Sequence, residues 1–132
     1  MRADIPEANA GASVVLSLPV PRGTTAAKCS LPDAAKGQTA EYVDSDKVVL
    51  WAIKKFPGQS EQQLRVRLSL PSSSPQVRAE IGPVTMDFEI PMWNPSSMNI
   101  RFLRIIERSA DFKPQRWVRV ITQANSYTCR LG

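Results

Sequence analysis

Histidine does not occur among the 132 residues of this chain. A Ser-His or Cys-His nucleophile system is therefore impossible, and so is any zinc site with imidazole ligands. Cys29 and Cys129 are the only cysteines and cannot form a four-thiolate site. Lying a hundred residues apart, they make a poor disulfide framework and read as buried, reduced and inert thiols. The six glycines spell neither G-x-G-x-x-G nor G-x-x-x-x-G-K-[ST], so no phosphate-cradling loop is present. An enzyme would have to work through scattered carboxylates. Asp87 and Glu89 come nearest to a pair, but two apart in an alternating run they share one face, and the plain reading of that face is a solvated one. The chain reads as non-catalytic, without cofactor or metal. What remains is a run of another kind: "PQRWVRVITQANSYTCRLG", residues 114–132, holds Trp117 between Arg116 and Arg119 in strand-like alternation. Taken alone, Trp117 is a core or edge aromatic and the arginines are a solvated face.

The elements that must position these residues are strands. In "SVVLSLPV" (13–20), Val14, Leu16, Leu18 and Val20 fall on one side, a period of two. "KVVLWAI" (47–53) is continuously apolar and β-branched, as expected of a strand covered on both faces. "QLRVRLSL" (63–70) and "VTMDFEI" (84–90) alternate without error. "MNIRFLRIIE" (98–107), "RWVRVIT" (116–122) and "SYTCRL" (126–131) complete the expected set, and no helical period competes with it. Turn signals separate the strands: "PRGT" (21–24), "LPDAAKGQ" (31–38), "FPGQS" (56–60), "PSSSPQ" (71–76) and "NPSS" (94–97). Eleven prolines punctuate strands instead of clustering. The expected class is all-β, an immunoglobulin-like β-sandwich with irregular connections. Residues 1–12 and "PSSSPQ" are the segments expected to be flexible.

Length and charge narrow the function. At 132 residues and 42% hydrophobic composition, one domain with a real core is possible and a second is not. No apolar run approaches the roughly 20 residues that cross a bilayer. "MRADIPEANAG" carries charges and a proline where a secretory signal needs an apolar core, which gives a cytoplasmic reading. The net charge is +5 and the isoelectric point is near 9.6. That balance alone does not choose between nucleic acid, anionic membrane and acidic partners. Most of the excess lies in the last third of the chain. In a strand, however, Arg101 and Arg104 would point to opposite faces, unlike a basic stripe laid along a phosphate backbone. No nucleic-acid partner is expected.

Five blocks carry a family resemblance: "VVLSLPVPRGT", "DSDKVVLWAIKKFPGQSEQQLRVRLSL" with its W-x-I-K-[KR] run, "PVTMDFEIPM", "IRFLRI" and "RWVRVITQANSY". In this order they resemble the C-terminal part of the mu homology domain, found in the medium (mu) subunits of clathrin-type adaptor complexes. The resemblance covers residues 3 to 132, and its last block is similar to the fourth adaptor complex as in plants. It implies a cargo-recognition module in vesicle-mediated protein transport. Such a module would bind Tyr-x-x-Φ sorting signals, Φ being a bulky apolar residue, in the cytoplasmic tails of membrane cargo. The tail would add as a strand on an open sheet edge.

The resemblance also assigns residues. Trp117 and Arg119 would receive the tyrosine, the indole offering apolar area and the guanidinium stacking on the ring and meeting its hydroxyl. Ile100, Leu103, Val118 and the stem of Arg116 would line the Φ pocket, and the backbone of 115–119 would pair with the ligand. Ile100 and Leu103 could equally be sheet packing. Other adaptor subunits would be partners. The chain would be one partial mu homology domain, without the longin-like N-terminal domain and the first strands that complete the tyrosine pocket. Plasma-membrane members carry a lysine cluster before the W-x-I-K strand, where this chain reads "GQTAEYVDSD". Losing it removes on the order of 1 kcal/mol per lysine of membrane attraction, so a peripheral place on Golgi or endosomal membranes is expected instead of plasma-membrane endocytosis. Lys54 and Lys55 remain as a possible contact with anionic membrane, or as a solvated face. The alternative function is a mu-like β scaffold in a coat, making protein contacts without reading tyrosine signals.

Overall fold

The computed structural model describes residues 1–72, 74–106, 111 and 113–130. Seven strands and one short helix follow one another: β1 (Ala10–Pro19), β2 (Ala26–Ser30), β3 (Gln38–Val43), β4 (Val48–Pro57), β5 (Arg65–Ser69), α1 (Pro75–Ala79), β6 (Val84–Pro91) and β7 (Ile121–Cys129). They form an antiparallel five-stranded sheet in the order β3-β4-β1-β6-β7 and a two-stranded sheet, β2-β5. The apolar faces of the two sheets meet, giving the expected all-β sandwich.

The core follows from strand period. In β4, Val49, Trp51 and Ile53 are buried on one face, while Val48, Leu50 and Ala52 are half-buried on the other. The buried parity changes before Phe56, which leaves Lys54 and Lys55 both exposed. Val14 of β1 joins Trp51, Ile53 and Phe56 in the central cluster, against which Leu16, Leu31, Leu64, Met86 and Phe88 pack. Each fully buried side chain of this size contributes about 1.5–3 kcal/mol. The Trp51 indole N–H donates to Gln38 Oε1 at 3.0 Å, so its polar atom is satisfied within the core. In β5, Val66 and Leu68 turn inward and Arg65, Arg67 and Ser69 outward, as the alternation requires.

Several local features differ from expectation. β2 ("AAKCS") and β3 ("QTAEYV") have weak strand composition and form through pairing with β5 and β4. "PSSSPQ" leads into α1, where the Ser74 hydroxyl accepts from Val77 N–H at 3.3 Å and proline opens the helix. Five residues are too few to display a helical period. The opening residues, expected to be flexible, run beside 59–62. The Met1 ammonium donates to Gln62 O at 2.8 Å, Ala3 N–H to Ser60 O at 3.0 Å and Gln59 N–H to Ala3 O at 2.8 Å, while Ile5 is buried.

The two expected strands nearest the end of the chain are corrected. The described residues 98–106 form no strand, and of 116–122 only Ile121 and Thr122 enter one. From there β7 continues unbroken to Cys129, absorbing the expected final strand by a bulge that sets two residues opposite Asp87. Alternation proposes a strand; without a partner to take its hydrogen bonds, none forms. Cys29 is half-buried and burial raises its thiol pKa, but Cys129, expected to be buried, is exposed at the end of this edge strand.

Candidate functional site

The residues singled out for binding lie where the chain leaves β6 and returns as β7. Pairing runs from Val84 opposite Cys129 to Pro91 opposite Ile121. Met92 N–H extends it by donating to Val120 O at 2.7 Å, and the Thr122 hydroxyl donates to Trp93 O at 2.7 Å. Phe88 and Tyr127 meet edge to face across the two strands with centroids 6.4 Å apart, a geometry that stabilises the pairing. β7 is the last strand of its sheet, so its outer side is an open edge among the described residues.

Beyond Val120 the sheet ends. Gln115 to Arg119, the stretch expected to pair with a ligand, lies outside any strand, so strand alternation does not place Trp117 and Arg119 on one side here. Trp117 is 76% exposed, and Val118 and Arg119 are exposed as well. From the earlier segment, Ile100 (64%) and Leu103 (49%) are also exposed. One of the expected juxtapositions is made: the Arg116 guanidinium donates from Nη1 to Leu103 O at 2.9 Å, joining two of the four residues assigned to the apolar pocket.

Sequence reasoning missed how much apolar surface gathers here. Phe102, Ile105 and Ile106, from the same segment as Ile100 and Leu103, are exposed, as are Ile121 and Tyr127 of β7. The signal was present in "NIRFLRII", whose apolar residues occupy both parities and so call for cover on both faces.

A second unpredicted cluster lies at the β3–β4 turn. Lys47 Nζ stands 2.6 Å from Asp44 Oδ1, the Tyr42 hydroxyl donates to the same oxygen at 2.9 Å, and Lys47 Nζ also donates to Thr24 O at 3.0 Å. The Lys47 ammonium, and then the Tyr42 hydroxyl, hold the Asp44 carboxyl below its ordinary range, while Asp44 in turn raises Lys47. The cluster ties the turn to the buried Thr24 and is structural. Glu41, Asp44 and Asp46 are all exposed in this region. Among the described residues, no helix is long and apolar enough to cross a membrane.

Comparison with known proteins supplies the remaining frame. Residues 1–131 match the model of the adaptor complexes medium subunit family. The chain is 36% identical over 132 residues to the AP-4 complex subunit mu of Arabidopsis thaliana, covering 99% of this chain and 29% of that protein. It is 34% identical over 119 residues to the AP-1 complex subunit mu-2 of Rattus norvegicus, covering 90% of this chain and 27% of that protein. To the AP-4 complex subunit mu of Dictyostelium discoideum it is 30% identical over 140 residues, covering 90% and 26%. The chain thus spans less than a third of the length of these curated relatives.

Proposed function

The chain belongs to the adaptor complexes medium subunit family, and from that premise we propose that it is a cargo-recognition part of a vesicle-coat adaptor, reading Tyr-x-x-Φ signals in the tails of membrane proteins. The observation that carries the reading is an exposed indole, Trp117, on backbone that has no strand partner among the described residues and leads directly into the open edge strand β7. A tail laid along Gln115 to Arg119 pairs with backbone that is in no strand among the described residues and draws it into strand conformation. Side chains then select: Trp117 and Arg119 take the tyrosine, and Ile100, Leu103, Val118 and the stem of Arg116 take the apolar residue. The Arg116 bond to Leu103 O supports the second pocket, because it holds its two sides together.

Other adaptor subunits are the protein partners in this reading, and Golgi or endosomal membranes the location. The exposed acids Glu41, Asp44 and Asp46 favour it, since they repel an anionic leaflet from that face. Lys54 and Lys55, both exposed at the end of β4, are the complementary membrane contact.

Titration of the chain with a Tyr-x-x-Φ peptide, followed by amide NMR, tests the proposal. Shifts centred on 115–119 are expected, absent with the tyrosine-to-alanine peptide. Trp117→Ala weakens binding by about 2 kcal/mol or more, roughly thirtyfold in Kd. The scaffold reading predicts indifference to both changes, and that result overturns the cargo reader.

A further inference from the structure

The smaller sheet presents a second open edge, chemically unlike the first. β5 pairs with β2 on one side and, among the described residues, with nothing on the other. Beside that free edge lies a cavity of about 180 Å³ between the two sheets, walled by Leu16, Leu18, Trp51, Leu64, Val66 and Val84. Its lining is almost wholly apolar, and it is the part of the core that the two-stranded sheet is too narrow to cover. The outward face of the same ribbon is cationic. Cα pairing sets Lys28 directly opposite Arg67, and Ser30 opposite Arg65. Side chains two apart in a strand share a face, so Lys28, Arg65 and Arg67 stand together, all exposed. The only ion pair among the described residues is Lys47 with Asp44, so these three cations have no partner there. Like charges placed directly opposite one another destabilise a strand pair.

We propose that the free edge of β5 takes an extended segment whose side chains alternate between apolar and acidic. Pairing with β5 satisfies the edge backbone. Alternate apolar residues enter the cavity over Leu16, Leu18 and Val84, and the intervening carboxylates come up beside Arg65 and Arg67, whose forked donors suit them. A second copy of the chain does not supply this segment. Its own apolar and acidic alternation, Met86 to Ile90 with Asp87 and Glu89, lies in β6, which is paired on both sides. Nucleic acid is disfavoured because the cationic face carries no aromatic on which a base could stack.

The test uses the whole chain with a short synthetic peptide alternating valine and glutamate, and a control alternating valine and lysine. Amide hydrogen exchange is the readout. The acidic peptide is expected to slow every second amide of β5 at least tenfold, those facing the free edge, and to leave 115–119 unaffected. The basic control should do neither. In the double variant Arg65→Glu, Arg67→Glu the preference reverses, with unchanged exchange in β4 reporting an intact core. Equal response to both peptides, or protection of neither, reduces the arginines to charges that blunt an edge and overturns the proposal. Protection of β5 that rises with protein concentration alone, or binding of phosphatidylserine vesicles lost in the double variant without any peptide effect, overturns it as well. Because the readout lies on β5 and not at 115–119, failure here is distinguishable from failure of the tyrosine-signal reading.

Discussion

Residues 63–70 and 98–106, "QLRVRLSL" and "MNIRFLRII", both mix apolar residues with arginines and were both expected to be strands, and they reach opposite ends. The first contains β5, pairs with β2 and lays Val66 and Leu68 against the core. The second forms no strand and leaves Ile100, Phe102, Leu103, Ile105 and Ile106 exposed. Apolar alternation decides which side chains share a face; it does not provide the strand that takes the backbone hydrogen bonds. β5 has β2 beside it to take its hydrogen bonds. The later segment lies between β6 and β7, which already pair with each other and leave it outside the sheet.

Substitutions can break that contrast. The largest effect is expected at the centre of the framework: Ile53→Ala, at a residue 1% exposed, should cost about 2–5 kcal/mol in urea unfolding. Phe102→Ala, at a residue 82% exposed, should stay within about 0.5 kcal/mol. Equal losses would mean that the later segment is packed in solution. Next comes Gly58→Ala. A Cβ there would lie 2.1 Å from Pro6 O and 2.7 Å from its carbonyl carbon, a backbone clash that only displacement of the opening segment relieves. The expected loss is about 1–3 kcal/mol, together with faster tryptic cleavage after Arg2. Unchanged cleavage would show that residues 1–5 are not held as tightly as their hydrogen bonds indicate.

The smallest effect concerns pH. The folded Asp44 carboxyl lies below its unfolded value, so its contribution is complete above about pH 4, the ordinary carboxylate range, and is lost as pH falls through the lower folded value. Asp44→Asn should flatten stability between neutral pH and that acid range. A curve unchanged by the substitution would remove Asp44 from the account of the turn. The cluster is exposed, so the change is small and sharpens the picture of the framework without altering it.

Much of the framework was legible in the residues. β1, β4, β5 and β6 were marked by clean alternation or by β-branched runs; "PRGT" and "NPSS" fell between elements, "PSSSPQ" ran into a helix start, and "LPDAAKGQ" and "FPGQS" overlapped the start of β3 and the end of β4. β2 and β3 were not legible, since Ala-Ala-Lys-Cys-Ser and Gln-Thr-Ala-Glu-Tyr-Val become strands only by lying beside β5 and β4. Of the candidate site, Trp117, Arg119 and their neighbours could be named from the family resemblance, and all of them are exposed. Their alternation onto one side could not be read, because it presupposed a strand whose partner lies elsewhere.

The residues by themselves settled the class, the inward faces of the long strands and the exclusion of histidine chemistry, because these depend on period and composition, which are local. Tertiary structure alone decided that β7 is one bulged strand on an open edge, that Lys28 faces Arg67, and that 98–106 and 113–120 stay outside both sheets. Each of these depends on which backbone lies beside which, and hydrogen-bond partners distant in sequence leave no trace in local pattern.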